Sequence, residues 1–213
     1  FIIGFIGIFC FYSTVFCVQE EDIIKVGLTS KFYHTSNVSI SNSSLYFGII
    51  KNDLFYGSES ILGNDFSVTS GMNYYISSDD TYKSFKEAKL NSSENGIPVL
   101  IDEDCWKVYF GGYSSEKDAS LAKNKFKKNV EIVKSKENLI VLSDGNTPCV
   151  ILDSSDYFAC VKDGDGLTVN IEGKEYRGCL EFRKSGGVFD VINILSFDEY
   201  LYGVVPCEMS NEW

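Results

Sequence analysis

The stretch that decides the fold is Asn193-Ile-Leu-Ser-Phe-Asp-Glu-Tyr-Leu-Tyr-Gly-Val-Val-Pro-Cys-Glu-Met-Ser-Asn-Glu-Trp213. It opens with the apolar end of a strand, and Ser196 with Glu199 three residues later forms the pattern of a helix capping box. Apolar side chains then recur on one helical face: Tyr200, Leu201, Val204 and Val205. The stretch therefore predicts a strand that feeds directly into an amphipathic helix.

The same stretch carries a candidate catalytic carboxylate, Glu208. Pro206 lacks a backbone N–H, so we expect it to end or bend the helix just before this residue. Cys207 and Met209 flank Glu208 and would partly desolvate it. Desolvation favours the protonated form of a glutamate, which suits a general acid near neutral pH. On the residues alone, a solvated surface glutamate remains the alternative.

The residues before this stretch are rich in predicted strands. Lys174–Phe182 and Val188–Ile194 form a predicted hairpin around the turn Ser185-Gly-Gly187. Further strands are predicted at 138–142, 149–152, 157–161 and 167–171. Residues 19–70 also alternate in the manner of strands, with Ser and Asn clusters between them.

Residues 71–135 have the clearest helix and strand periodicity in the chain. Strands are predicted at 73–77, 97–101, 106–110 and 130–133, with one helix capped by Ser78-Asp-Asp80 and a second by Ser115 and Asp118. The order β-α-β-β-α-β is that of ferredoxin-like folds. Pro98 predicts an edge position for its strand, because proline cannot donate a ladder hydrogen bond.

Composition limits the function classes. The chain has 213 residues, 44% of them hydrophobic, which is enough for a substantial core. Its formal net charge of −11 weighs against a nucleic-acid partner, because phosphate binding needs a concentrated basic surface.

Residues 1–18 are almost wholly apolar and end at the acidic run Gln19-Glu-Glu-Asp22. This pattern predicts an export signal or a membrane anchor, and the lack of a small-x-small cleavage pattern favours an uncleaved anchor. A buried core helix is the alternative. We expect a protein on the extracytoplasmic face of the cell membrane, or secreted to the envelope. Because no initiating Met or charged leader precedes the apolar run, we expect the sequence to be part of a longer protein.

Cysteine and histidine spacing gives no metal site. The seven cysteines include no Cys-x-x-Cys pair, and His34 is the one histidine in the sequence. Asp163-Gly-Asp-Gly166 lacks the later acidic ligand of a calcium loop and predicts a tight turn. We expect neither a metal nor another cofactor.

Two motifs resemble known families. Trp106-Lys-Val-Tyr-Phe-Gly-Gly-Tyr-Ser-Ser-Glu-Lys-Asp-Ala119 resembles the SPOR domain, whose members bind peptidoglycan glycan strands that lack stem peptides. The resemblance implies that Trp106, Tyr109 and Tyr113 contact glycan. A ferredoxin-like module with a purely structural role is the alternative.

Tyr176-Arg-Gly178, Asn193 and the residues from Phe197 to Trp213 are similar to the stage II sporulation protein D/LytB (amidase-enhancer) family. The resemblance implies a lytic transglycosylase that cleaves peptide-stripped glycan strands, with Glu208 as acid and base, during engulfment of the forespore. It also leaves open a non-catalytic module that binds peptidoglycan and stimulates a partner amidase. The family continues past this motif with an Ala-rich helix, so we expect activity of the longer protein rather than of this part alone.

Together these observations predict an α+β protein in four parts. They are a hydrophobic anchor (1–18), a β-rich part (19–70), an inserted ferredoxin-like SPOR-type module (71–135) and the start of a β-rich catalytic domain (136–213). The expected partners are glycan strands, other cell-wall hydrolases or amidases, and the membrane.

Overall fold

The computed structural model describes residues 15–16, 23–32, 34–52, 54–92, 95–126, 129–162 and 168–208. Strands dominate this part of the chain and the helices are short, so the fold is β-rich and α+β in class. The strands are β1 (Val15–Phe16), β2 (Ile23–Gly27), β3 (Asn37–Ile40), β4 (Ser44–Lys51), β5 (Leu54–Leu62), β6 (Phe66–Ser70), β7 (Tyr74–Ser78), β8 (Gly96–Asp102), β9 (Cys105–Tyr113), β10 (Val130–Lys134), β11 (Ile140–Asp144), β12 (Thr147–Leu152), β13 (Tyr157–Lys162), β14 (Thr168–Ile171), β15 (Lys174–Arg177), β16 (Cys179–Ser185) and β17 (Val188–Ser196). The helices are α1 (Thr29–Phe32), α2 (Phe85–Asn91), α3 (Glu116–Lys123) and α4 (Phe197–Glu208).

The strands form two sheets. One has seven strands in the order β1-β5-β4-β13-β16-β17-β2, and the other has ten in the order β10-β7-β9-β8-β12-β11-β6-β3-β14-β15. Strands from early and late in the chain are neighbours in both, because β4 pairs with β13, β2 with β17, and β6 with β11. Residues 19–70 and 136–213 therefore build their sheets jointly.

Between those shared strands, β7 to β10 follow the predicted order β7-α2-β8-β9-α3-β10. Their spatial order is β10-β7-β9-β8, and each neighbouring pair is antiparallel. The far side of β8 pairs in parallel with β12. The segment is thus continuous with the rest of the ten-stranded sheet.

Two local predictions in this segment are wrong. Because β8 lies between β9 and β12, Pro98 is not on an edge strand. The pairing with β12 begins at Val99, one residue later, so the missing N–H of Pro98 is not needed on that side. Helix α2 begins at Phe85 rather than after Asp80, because Ser84 is its cap and Tyr82 instead exchanges backbone hydrogen bonds with Trp106.

The cap of α3 is confirmed. The Ser115 Oγ accepts a hydrogen bond of 3.2 Å from the backbone N–H of Asp118. Ala119 is buried beneath the helix. After the helix ends, the Phe126 ring packs at 5.3 Å from the Phe110 ring.

A cluster of three aromatic rings joins the two sheets. Phe47 comes from the seven-stranded sheet, Trp106 from the ten-stranded sheet and Phe85 from α2. Their centroids lie 5.5–6.2 Å apart in edge-to-face geometry, the arrangement that the quadrupoles of aromatic rings favour. The main hydrophobic core continues from this cluster between the sheets.

On the opposite face of β9, a buried polar network ties the segment to later residues. The Tyr109 hydroxyl donates to Asp153 Oδ2 at 2.8 Å, and the backbone N–H of Lys136 donates to Asp153 Oδ1 at 2.7 Å. Burial, together with the nearby Asp153 carboxylate, raises the pKa of Tyr109. The hydroxyl therefore keeps its proton at neutral pH and remains a donor.

The chain crosses from one sheet to the other at Gly178. The single strand predicted over Lys174–Phe182 is in fact two, since β15 belongs to the ten-stranded sheet and β16 to the seven-stranded sheet. Gly178 has a φ of +73°, and a Cβ at this position would overlap the carbonyl oxygen of Ile194. Glycine is required here both for the left-handed backbone and for the close approach of β17.

Only a small part of the predicted anchor lies among the described residues. Val15 and Phe16 form β1, which pairs with Tyr56 and Phe55 of β5. The remainder of residues 1–18 lies outside the described part. No helix in the described ranges is both long and apolar enough to cross a membrane.

We expect Gly178→Ala to destabilise the fold more than Gly173→Ala does. Both positions have positive φ, but a Cβ at Gly173 would meet no described atom within 4 Å. Gly173→Ala, the control, therefore introduces backbone strain alone. In Gly178→Ala the overlap with Ile194 should add about 1–3 kcal/mol to the loss of stability. Urea unfolding of the two variants measures this difference. Equal losses would show that the crossing does not depend on close packing against β17.

Candidate functional site

Helix α4 carries the candidate catalytic residue and begins directly after β17. The backbone N–H of Glu199 donates to Ser196 Oγ at 3.2 Å, and the backbone N–H of Ser196 donates to Glu199 Oε2 at 3.1 Å. This is the reciprocal capping box predicted from the sequence, and it is confirmed. Asp198 and Glu199 also place negative charge in the first turn, where the helix dipole favours it.

Pro206 was expected to end or bend the helix, and a helix end at this residue is wrong, since α4 runs through to Glu208. A proline in the last turn removes one hydrogen bond, the one to the carbonyl of Tyr202, and the helix continues without it. Glu208 is therefore the last residue of the helix rather than a residue beyond a break. The side chain of Glu208 lies outside the described part.

Asn193, on the strand that leads into α4, has a buried side chain that binds the backbone of another part of the chain. Its Nδ2 donates to the carbonyl oxygen of Arg177 at 2.7 Å and to that of Cys179 at 3.3 Å. These two carbonyls flank Gly178. One amide on β17 thereby fixes the chain on both sides of the crossing between the sheets.

Arg177 makes a further contact with the helix. Its guanidinium lies 5.9 Å from the centroid of the Tyr202 ring on α4, a cation–π distance. The residues that carry the family resemblance are thus close to one another, although they are separated in sequence. Arg177, Gly178 and Asn193 lie at the crossing between the sheets. Glu199 and Tyr202 belong to α4, which follows β17.

The three predicted glycan contacts lie in different environments. Trp106 and Tyr109 are each 2% exposed, Trp106 in the aromatic cluster with Phe47 and Tyr109 in the network with Asp153. A ring buried in this way cannot stack on a sugar, so these two residues are not available as surface contacts. Tyr113 is partly exposed at the end of β9, where its ring lies against Gly111.

Sequence reasoning missed Glu181 and Arg183 on β16. Glu181 is 0% exposed, and its carboxylate Oε1 accepts a hydrogen bond from Nε of Arg183. The available signal was a single acidic residue between the apolar Leu180 and Phe182, with an arginine two positions later on the same face. Buried carboxylates of this kind need partners, so the pattern indicates a specific polar contact.

Histidine, cysteine and carboxylate side chains are the groups that could hold a metal ion. Within the residues that the structure describes, no group of three or more His, Cys, Asp or Glu side chains could hold a metal ion. The described thiols are free, and burial raises the pKa of Cys160 to about 12. The turn predicted at Asp163–Gly166 lies outside the described ranges.

Comparison with protein-family models, with curated proteins and with solved structures found no match to this chain. The two family resemblances therefore depend on the motifs in the sequence.

We expect Asn193→Asp to destabilise the protein, because an ionised aspartate cannot donate to the carbonyls of Arg177 and Cys179. An unsatisfied buried polar group costs about 1–3 kcal/mol, and the buried charge adds to this loss. Asn170→Asp is the matched control, because the Asn170 Oδ1 accepts a hydrogen bond from Gly173 and a carboxylate can do the same.

Chemical unfolding of both variants measures the difference. A loss for Asn193→Asp that is no larger than that for Asn170→Asp would contradict the role of Asn193 as a clamp.

Proposed function

We propose that the longer protein containing this chain remodels peptidoglycan as a lytic transglycosylase that cleaves glycan strands stripped of stem peptides, during forespore engulfment. The observation that carries the proposal is the family motif from Tyr176 to Glu208. The clustering of Arg177, Gly178 and Asn193 at the base of α4 supports it, because it gives these motif residues a common task. That task is to fix the helix that ends at Glu208.

The proposed chemistry needs one carboxyl group. Glu208, protonated, donates its proton to the glycosidic oxygen as the bond to the anomeric carbon breaks. The resulting carboxylate then accepts the proton of the C6 hydroxyl of the same sugar, whose oxygen bonds to the anomeric carbon. The products are a 1,6-anhydro end and a new free hydroxyl end. No water is consumed, so the second carboxyl group that hydrolytic glycosidases use to activate water or attack the sugar is not required.

Positioning is the second requirement, and it favours a residue on a fixed helix. A general acid acts only when it lies within hydrogen-bond reach of the leaving oxygen. The capping box at Ser196 joins the first turn of α4 to the end of β17, and Arg177 contacts the helix through Tyr202.

We further propose that residues 71–135 are a ferredoxin-like module of the SPOR type. Its element order and its antiparallel strand order β10-β7-β9-β8 support this assignment. Of the three predicted glycan contacts, Tyr113 is the one that we propose contacts glycan in this segment. The proposed location is the extracytoplasmic face of the membrane or the cell envelope, with an N-terminal anchor.

A second candidate function is a non-catalytic enhancer, in which the chain binds glycan and stimulates a partner amidase. The strand order of the 71–135 segment favours it, because that segment would supply binding without chemistry.

Glu208→Gln tests the catalytic role. With peptide-stripped glycan as substrate, the longer protein should form 1,6-anhydro ends detectable by mass spectrometry. The variant should lose at least about 100-fold in rate, which is the usual contribution of a general acid. Glu175→Gln, an exposed residue on β15, is the matched control and should keep full activity. Undiminished product from Glu208→Gln would refute the assignment.

The same variant separates the two candidate functions. If the chain is an enhancer, Glu208→Gln should stimulate the partner amidase as well as the unaltered protein does. If it is a transglycosylase, the variant should still be retained on peptide-stripped peptidoglycan but should release no anhydro product.

A further inference from the structure

A polar cavity opens on the seven-stranded sheet, at the ends of strands β2, β4, β13 and β16. Its volume is about 200 Å³. Its lining is mostly polar and comprises Lys25, Lys51, Asn52, Ser155, Asp156, Tyr157, Glu181 and Arg183, together with Ile50. Residues of four strands line the cavity, so its shape depends on the sheet rather than on one loop.

Glu181 is the unusual group in its wall. The side chain is fully buried, and its neighbours across the sheet are Ala159 on β13 and Ile192 on β17. Oε1 accepts from Arg183, but no donor among the described residues lies within hydrogen-bond reach of Oε2. A buried carboxylate oxygen without a donor costs about 1–3 kcal/mol or more. Such a group calls for an explanation, such as a bound water, ion or ligand, or a catalytic role.

The group that Glu181 lacks is a hydrogen-bond donor rather than a countercharge. Arg183 already compensates the negative charge of the carboxylate, and its guanidinium lies 4.8 Å from the centroid of the Tyr157 ring. A bound cation here would be repelled by Arg183 and by Lys25 and Lys51, which line the same cavity. A neutral hydroxyl can donate to Oε2 without such a penalty.

The other side chains favour the same class of ligand. Lys25, Lys51, Asn52 and Arg183 provide donors, whereas Glu181 and Asp156 provide acceptors. Lys51 is paired with Asp102 at 3.4 Å, so the charges of Lys25 and Arg183 balance those of Glu181 and Asp156, and the lining favours no simple anion. A neutral ligand with several hydroxyl groups both donates and accepts, and it therefore matches the whole lining. The volume suits a single small ring, because pockets for drug-sized ligands hold about 300–1,000 Å³.

We propose that this cavity binds one neutral sugar unit, with a sugar hydroxyl donating to Oε2 of Glu181. That this sugar belongs to a glycan strand rests on the proposed function. The cavity would then be a second glycan subsite, separate from the one at Glu208. Oε2 is buried, so a ligand can reach it only after a neighbouring side chain changes rotamer. Tyr157 and Arg183 line the cavity beside it and are 37% and 39% exposed, which leaves their side chains room to change rotamer.

Binding of free N-acetylglucosamine to the full chain tests the proposal without any turnover. Calorimetric titration and saturation-transfer NMR should both detect binding. Alanine, a zwitterion, and inorganic phosphate, an anion, should bind at least about tenfold more weakly, since their charges must be desolvated on binding and a neutral sugar carries none. Absence of sugar binding, or tighter binding of alanine or phosphate, would overturn the proposal.

Two variants locate the binding. Glu181→Met removes the acceptor with little change of shape and should weaken binding about tenfold or more, the value of a hydrogen bond to a charged group. Ser155→Trp blocks the cavity from its exposed rim and should abolish binding even if Glu181→Met fails to fold. Ser114→Trp is the matched control, because Ser114 and Ser155 are both exposed. The backbone carbonyl of each also accepts a hydrogen bond from an asparagine side-chain amide.

Full binding by Ser155→Trp would refute the site. Loss of binding in Ser155→Trp together with retention in Ser114→Trp would support it. The outcome is independent of the Glu208→Gln assay. Glycan cleavage that depends on Glu208, without sugar binding at the cavity, would remove this inference and leave the proposed function intact.

Discussion

The side-chain amide of Asn193 makes the interaction on which the rest of the structure depends. It donates to the carbonyls on both sides of Gly178, where the chain leaves the ten-stranded sheet and enters the seven-stranded one. The clamp ties β17 to both sides of this crossing, three residues before the end of the strand from which the helix carrying Glu208 begins.

The two sheets are also joined through the segment that the sequence marks as an insertion. Phe85 and Trp106 pack on Phe47 from the other sheet, and Tyr109 bonds to Asp153 in a later loop. The aromatic residues of this segment therefore serve the core. Of the three aromatic residues implicated in glycan binding, Tyr113 is the one exposed enough to contact a ligand.

Features that depend on nearby residues could be predicted from the sequence. The caps at Ser115 and Ser196 need a partner three residues away, and both were predicted correctly. The burial of Trp106 depends on Phe47, which is remote in sequence, and the break at Gly178 depends on the carbonyl of Ile194. No local pattern contains those contacts, so the sequence alone predicts a surface role for Trp106 and a single strand over Lys174–Phe182.

For the site, the motif led to Glu208 and to the residues that hold its helix. It gave no indication of the cavity beside Glu181, because that cavity is assembled from four strands. The most direct test of the account is an experimental structure of the longer protein bound to a peptide-stripped glycan. The account predicts the Glu208 carboxyl within hydrogen-bond distance of a glycosidic oxygen. A glycan bound with Glu208 remote from every glycosidic oxygen would contradict it.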